Sequence, residues 1–302
     1  MTLDAAAARH AIEADIAKPL DLSLEQAAAG ILRVANSNIV RGIRVVSVER
    51  GYDPRGFTLV PFGGAGPMHG TPVARELGIS KILVPPTPGI LCALGMLVSD
   101  LRHDLVETHI GPLATFPFAQ ADEIVGRLQA SGHELLVADH VPSEKQRIEV
   151  GVQLRYVGQS YELSVPLVSG DPAAWAAIDK AFHAAHRARY GHADPAVAVE
   201  VVGFAVTAIG LIDTPRLPRL AAGQAEPPEA AMIGQRPVFF ENDLGGNAGW
   251  RDTQVVAREA LLAGNLIAGP AVIDEISATT VLYPGDVATV HPTGSLLVEV
   301  SA

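Results

Sequence analysis

Phe57-Thr58-Leu59-Val60-Pro61-Phe62-Gly63-Gly64-Ala65-Gly66-Pro67-Met68-His69-Gly70 is the stretch whose reading decides the fold. The apolar run 57–62 reads as a buried strand, and it stops abruptly at Gly63, Gly64 and Gly66. Pro67 then stands where a helix through Leu77 places its first residue. Glycine permits positive φ and lets a ligand meet bare main chain, while the following helix presents unpaired N–H groups. An ordinary βα turn has the same composition. Neither the G-x-G-x-x-G nor the Walker A spacing is present, so both readings stay open on these residues alone.

Upstream, Ser23 followed by Gln26 is a capping-box pattern. Leu24, Ala27, Ala28, Ile31, Val34, Ala35, Ile39, Ile43 and Val46 then recur with helical spacing, a stripe expected to pack on a sheet. Pro19 is expected to stop any helix before it, leaving 1–20 as a helix end and a connection. Downstream, Gly78 ends the helix, 81–84 reads as a second strand stopped by Pro85 and Pro86, and 90–98 reads as an apolar helix that buries Cys92. Strands alternating with helices imply an α/β arrangement with at least one parallel pair. Ligands in such sheets bind beyond the carboxyl ends of strands, which is where the glycine turn lies.

Composition narrows the function classes. A chain of 302 residues that is 48% hydrophobic has room for two domains with real cores. Its net charge of −11 argues against nucleic acid or an anionic membrane as main partner. One cysteine excludes an internal disulfide framework. The first 18 residues mix charges among alanines, unlike a signal peptide, and the apolar run 201–212 is too short to span a bilayer. These features read as a soluble, cytoplasmic protein that handles small molecules or proteins.

Ser99-Asp100-Leu101-Arg102-His103-Asp104-Leu105 gathers two carboxylates, a guanidinium and an imidazole. Such a set suits a divalent cation or a phosphate, and it equally suits a solvated turn with a local Asp–Arg pair. After a polar-faced helix over 121–136, residues 148–156 and 161–167 alternate as a hairpin. Its turn places Gly158, Gln159 and Ser160 beside Arg155, although turn chemistry alone accounts for Gly and Ser there. His183 and His186, three apart on a helix, and His192 suggest a metal, but nothing completes the ligand set. A strand over 200–212 is expected to extend the hairpin, and the proline- and alanine-rich stretch 213–234 has a linker composition. Short β-branched runs follow to the end.

Three stretches together resemble the hydantoinase A and 5-oxoprolinase family, whose relatives include nucleotide-handling subunits of acetone and acetophenone carboxylases. The first runs from Arg44-Val45-Val46-Ser47-Val48-Glu49-Arg50-Gly51-Tyr52-Asp53-Pro54-Arg55 into Phe62-Gly63-Gly64-Ala65-Gly66-Pro67-Met68-His69. The second is Val84-Pro85-Pro86-Thr87-Pro88-Gly89-Ile90 through Gly95, leading to Asp100-Leu101-Arg102-His103-Asp104. The third is Arg155-Tyr156-Val157-Gly158-Gln159-Ser160-Tyr161-Glu162-Leu163, joined by Ile267-Ala268-Gly269-Pro270-Ala271-Val272-Ile273.

The resemblance implies the C-terminal part of an actin-like, sugar-kinase-like ATPase domain over 1–108. An α+β family-specific domain over 109–213, a linker over 214–234 and a mostly-β segment over 235–302 complete this organisation. It implies that Gly63, Gly64, Ala65 and Gly66 contact ATP, that His103 and Asp104 serve a divalent metal such as Mg²⁺ or the substrate, and that Arg155, Gln159 and Ser160 serve substrate or interdomain contacts. The implied activity is ATP-dependent opening of a cyclic amide such as hydantoin or 5-oxoproline, with an ATP-dependent ketone carboxylase subunit and a non-catalytic binding module as alternatives.

The chain departs from the family in lacking an Asp-x-Gly-Gly-Thr phosphate loop, and Gly245-Gly246 stands in the wrong place to replace it. It is therefore expected to be inactive alone, either a split subunit that needs an N-terminal actin-like half or a hydantoinase B-type subunit, or a truncated relic. Such a chain is also expected to leave an apolar face uncovered near 63–69.

Overall fold

The computed structural model describes residues 4–213, 218–241 and 248–301, which fall into two compact units. One comprises Met1–Leu97 with Arg216–Ala302, and the other Val98–Pro215. The C-terminal β segment thus folds into the same unit as the glycine turn, and the middle unit begins about ten residues before the boundary expected at 108/109. Gly245 and Gly246 lie outside the described residues.

In the first unit the capping box forms as read: Ser23 N–H donates to Gln26 Oε1 at 2.9 Å and Gln26 N–H to Ser23 Oγ at 3.1 Å. It starts the helix Leu24–Val46. The buried positions are Ala27, Ala29, Asn36 and Val40, so the buried face is rotated from the expected stripe, and Val34 and Val46 are 64% and 56% exposed. Its main packing partner is the helix Gly70–Leu77, and only Val40 and Ile43 reach the core that the strands share. A helix laid on another helix buries only a narrow seam, which is why most of the apolar stripe stays wet. Ahead of it, Ala5–Ile12 continues through a π-helical turn, Glu13–Ala17, into Lys18–Leu20, so Pro19 does not end the helix. Pro19 lies near the end of this continuous run, directly after the π-helical turn, where its missing N–H removes one intrahelical bond without ending the helix.

The strand Lys81–Val84 joins a sheet with Leu296–Glu299, Val287–Val290 and Leu266–Ala268, in that order and all antiparallel. The expected strand 57–61 is reduced to one parallel bridge: Leu59 N–H donates to Lys81 O at 3.0 Å and accepts from Leu83 N–H at 2.8 Å. The next ladder bond would come from residue 61, which is proline and has no N–H. Pairing stops there for that reason. Phe57, Val60 and Phe62 are 57%, 45% and 52% exposed, so the segment is not the buried strand its composition suggests.

A second sheet of this unit orders Ala278–Leu282, Ala271–Glu275, Gly249–Ala257 and Met232–Phe240. The middle two strands are parallel. Gly249–Ala257 escapes a periodicity reading because Arg251, Asp252 and Gln254 make its first half polar. The proline- and alanine-rich stretch is tied down, not slack. Buried Asn265 donates through Nδ2 to Gln224 O and Glu226 O, and Ala222 bridges Ala263. Its four residues 214–217 lie outside the described set.

The middle unit is a four-stranded antiparallel sheet in the order Leu101–Pro112, Val199–Gly210, Gln146–Tyr156 and Leu163–Pro166. The hairpin and its closing strand stand as expected. The helix Phe118–Ala138 covers one face through Ile124, Val125 and Leu128, and these pack with Val152, Leu154, Phe182 and Phe204.

Asp286 joins the C-terminal sheets to the Gly70–Leu77 helix. Fully buried, it accepts from Thr71 Oγ1 at 2.9 Å, Arg75 Nη2 at 3.0 Å, Tyr283 N–H at 3.0 Å and Ser301 N–H at 3.1 Å. Removing the carboxylate takes the acceptor from the buried Thr71 hydroxyl and from the Tyr283 and Ser301 N–H groups and deletes a buried ion-pair partner, so Asp286→Ala is expected to lower unfolding free energy by about 3–5 kcal/mol, read by urea denaturation.

Candidate functional site

Three loops meet at the carboxyl end of the short parallel pair. Gly63 takes φ +84° and donates its N–H to Pro88 O at 2.8 Å, which ties the glycine turn to the loop after Lys81–Val84. The third loop is the tight turn at Ser277, between the strands Ala271–Glu275 and Ala278–Leu282. A β-carbon on Gly64 would come within 3.2 Å of Ser277 O, and one on Gly89 within 2.5 Å of both Ser277 O and Oγ. These two glycines are therefore accounted for by the chain's own turn. At Gly63, by contrast, a β-carbon would meet open space, and Gly64 and Ala65 present an exposed surface.

Arg258 braces two of these loops, the one after Lys81–Val84 and the one beyond Glu275, against the segment at Gly294. Its Nη1 donates to Glu275 Oε1 at 2.9 Å, and its Nη2 to the carbonyls of Val84, Pro85 and Gly294 at 3.2, 2.8 and 2.9 Å. Both side chains of the pair are only 9% exposed. Burial pulls the Arg258 pKa down and pushes that of Glu275 up, with the mutual attraction opposing each shift. Neither residue carries a local sequence signal, since they are 17 positions apart on different elements.

After the turn, Gly66–His69 forms a 3₁₀ segment that leads into Gly70–Leu77, so the expected helix start is present with a tighter first turn. His69 Nδ1 lies 2.7 Å from Oδ1 of Asn36, a buried residue of the long helix. A carboxamide oxygen only accepts, so the proton is on Nδ1 and Nε2 is the bare nitrogen of the neutral ring. Asn36 carried no distinctive signal, because it opens the polar run Asn36-Ser37-Asn38. A recess of about 250 Å³ lined by Ile39, Leu59, Phe62, Gly66 and His69 adjoins the turn.

The remaining expected site residues lie in the middle unit. His103 and Asp104 are neighbours on one strand, so their side chains leave opposite faces. His103 Nε2 meets Asp139 Oδ2 at 2.6 Å, while Asp104 accepts from Arg102 Nε and Nη2, both at 2.8 Å, and from Thr207 Oγ1 at 2.7 Å. Those donors hold the Asp104 carboxyl below the usual range, Arg102 first. The two residues do not converge, and no group of three or more His, Cys, Asp or Glu able to hold a metal occurs among the described residues.

Arg155, Gln159 and Ser160 do gather at one sheet end. Arg155 Nε is paired with Glu200 across the sheet at 2.7 Å, and Ser160 is exposed. Gln159 Nε2 donates to Nε2 of fully buried His186 at 3.1 Å, whose Nδ1–H donates to His192 O at 2.7 Å. His183 Nδ1 lies 2.8 Å from the Tyr156 hydroxyl, which also accepts from Asp194 N–H. The histidines thus hold turns in place, consistent with the incomplete ligand set read from the sequence. Cys92, expected to be buried, is exposed.

With this geometry in place, the chain can be set beside known proteins. Residues 1–105 match the hydantoinase/oxoprolinase family, and 118–295 match the hydantoinase/oxoprolinase C-terminal domain. The chain belongs to the hydantoinase/oxoprolinase family. It is 34% identical to caprolactamase subunit alpha of Pseudomonas jessenii over 295 residues, covering 94% of this chain and 41% of that protein. The nucleotide-free structure of acetone carboxylase, solved in a study of ATP-dependent acetone carboxylation, superposes with a TM-score of 0.79 at 26% identity, covering 99% of this chain and 43% of that one. The crystal structure of the ATP-dependent caprolactamase from Pseudomonas jessenii gives 0.72 at 32% identity, covering 99% and 43%. The chain therefore spans about two-fifths of the length of these relatives. No helix among the described residues is long and apolar enough to cross a membrane.

Two outcomes follow from the site. Gly89→Ala drives a β-carbon into the Ser277 main chain and is expected to destabilise by about 1–3 kcal/mol in chemical denaturation. Burial depresses the His69 pKa below its unfolded value, so its contribution to stability is present above the unfolded pKa and is lost as pH falls through the folded one. Denaturation midpoints from pH 7.5 down to 5 are expected to fall more for wild type than for His69→Gln; equal slopes would refute this.

Proposed function

We propose that this chain is the C-terminal half or a subunit of an ATP-dependent cyclic-amide hydrolase, active only with a complementary polypeptide. The observation that carries this reading is the 34% identity to caprolactamase subunit alpha across nearly the whole chain. In this reading the glycine turn, Gly63, Gly64, Ala65 and Gly66, contacts the nucleotide of an actin-like ATPase core. The open space at Gly63 and the exposed Ala65 fit such a contact. Gly64 fits it on one side only, because Ser277 occupies the other.

In this reading ATP phosphorylates the amide oxygen and so activates the carbonyl carbon toward water. The adduct expels the ring nitrogen, which takes up a proton as the C–N bond breaks, and a second water hydrolyses the resulting acyl phosphate to carboxylate and phosphate. This chain's part is positional. Arg258 and Glu275 brace the loops, and the Asn36 contact orients the His69 ring through Nδ1, while burial lowers its pKa. The donor set at His103 and Asp104 does not form a cage for Mg²⁺ or another divalent ion, so the reading assigns phosphates and ion to the complement: an N-terminal actin-like half or a hydantoinase B-type subunit. Arg155, Gln159 and Ser160 remain in this reading as contacts toward the substrate or the complement, with Ser160 the accessible member. The TM-score of 0.79 to acetone carboxylase favours a second reading, a ketone carboxylase subunit.

Purified chain alone is expected to show no ATP turnover. Together with its complement it is expected to release ADP on addition of caprolactam, 5-oxoproline or hydantoin. Turnover with acetone and bicarbonate instead selects the second reading, and normal turnover by the lone chain refutes the requirement for a complement.

A further inference from the structure

The buried histidine of the middle unit is fixed by main-chain groups at both ring nitrogens. His186 is fully buried on the helix Ile178–Tyr190. Its Nδ1 lies 2.7 Å from the carbonyl of His192, which only accepts, so that nitrogen carries a proton. Gln159 Oε1 accepts from Tyr156 N–H at 3.3 Å, and a backbone N–H only donates, so the carboxamide is held one way round with its Nε2 3.1 Å from His186 Nε2. His186 Nε2 therefore accepts. One ring thus bridges two loops: the turn 157–160, closed by Gln159 N–H on Tyr156 O at 3.0 Å, and the loop that follows Gly191.

This arrangement has no place for a second proton. Protonating Nε2 sets its N–H against the amide protons of Gln159, donor facing donor. Turning the carboxamide over relieves that conflict only by taking Oε1 away from Tyr156 N–H, which a buried network does not tolerate. The rings packed on His186 are Tyr156 of the strand Gln146–Tyr156, Tyr161 beyond the turn, Phe182 and Tyr190 of its own helix, and His192 of the loop. Nearby carboxylates are committed elsewhere: Asp179 to His183 at 3.4 Å, Glu200 to Arg155 at 2.7 Å and Asp194 to Ala196 N–H at 3.0 Å. Arg187 and Arg189 of the same helix are exposed. Among the described residues the histidines paired with a carboxylate are His103, His109 and His183, not His186. His183 faces Asp179 and His192 is exposed, so neither loses a contact on taking up a proton.

We propose that His186 is a proton-operated latch on the turn 157–160. Uptake of a solvent proton at Nε2 releases Gln159, and with it the turn at the sheet end that carries Arg155 and Ser160. Imidazole is the side chain suited to a charge change between about pH 5 and 8. Val157, Gly158 and Ser160 are exposed, so the turn has room to swing outward while the core beneath it stays packed. The latch rests on the geometry of this hairpin alone and not on the activity proposed above.

The test follows amide hydrogen exchange of the full chain from about pH 7.5 to about 5.5, corrected for the intrinsic chemical rate. Protection of the Tyr156 and Gln159 amides is expected to fall by about tenfold or more, while amides of the central strand Val199–Gly210 keep theirs. Gln159→Glu reverses the logic, because a carboxylate accepts from Tyr156 N–H and from a protonated His186 Nε2 alike. Its turn is expected to be held more tightly at the acid end of the range than at the neutral end. The imidazole nitrogen shifts of wild-type His186 are expected to show the neutral Nδ1–H form while the turn is closed and a charged ring once it opens. Turn protection independent of pH in the wild type, the same direction of change in Gln159→Glu, a His186 ring that stays neutral as the turn opens, or simultaneous loss of protection in the central strand overturns the proposal.

Discussion

The guanidinium of Arg258 is the constraint on which the rest of the site depends. It satisfies carbonyls at the ends of two sheet segments, Val84, Pro85 and Gly294, and a carboxylate in the neighbouring sheet, Glu275. Such a pair is not strongly stabilising in itself, because desolvation offsets much of the attraction. Its consequence is geometric. With Glu275 fixed, the turn at Ser277 falls against Gly64 and Gly89, and the loops carrying them cannot drift. The glycine turn is held as much by internal packing as it is shaped by its own permissive backbone.

This changes what the glycines mean. Glycine in a βα turn reads as bare main chain left open for a ligand, and here that applies to Gly63, where φ is +84° and space is open. Gly64 and Gly89 instead lack side chains because another part of the same chain needs the volume. A ligand contact and an internal close approach leave the same mark in a sequence, and only coordinates separate them.

Much of the architecture was legible. The capping box at Ser23 and Gln26, the hairpin with its third strand and the mostly-β tail follow from local patterns, because each pattern is enforced by hydrogen bonds between near neighbours. The readings that shifted all concern distant neighbours. The long helix rotated its buried face because it met another helix. The strand at 57–61 stayed largely unpaired and exposed because Pro61 cannot extend the ladder. Cys92 lay exposed, and the proline-rich stretch was pinned by Asn265. His103 and Asp104, adjacent in sequence, were parted by the alternation of a strand, an outcome the composition of the stretch could not show without its secondary structure.

By itself, the sequence determined the family, the positions of turns and caps, and the absence of clustered positive charge, since all of these are properties of residue type and short-range spacing. Tertiary structure alone decided which face of the long helix is buried, that Arg258 meets Glu275 and that Asp286 gathers donors from four residues, because those encounters join residues up to 215 positions apart. It also decided that Leu59 alone of the segment 57–61 pairs with Lys81–Val84. Whether a backbone N–H finds a partner depends on what lies across from it in space, and no reading along the chain supplies that neighbour.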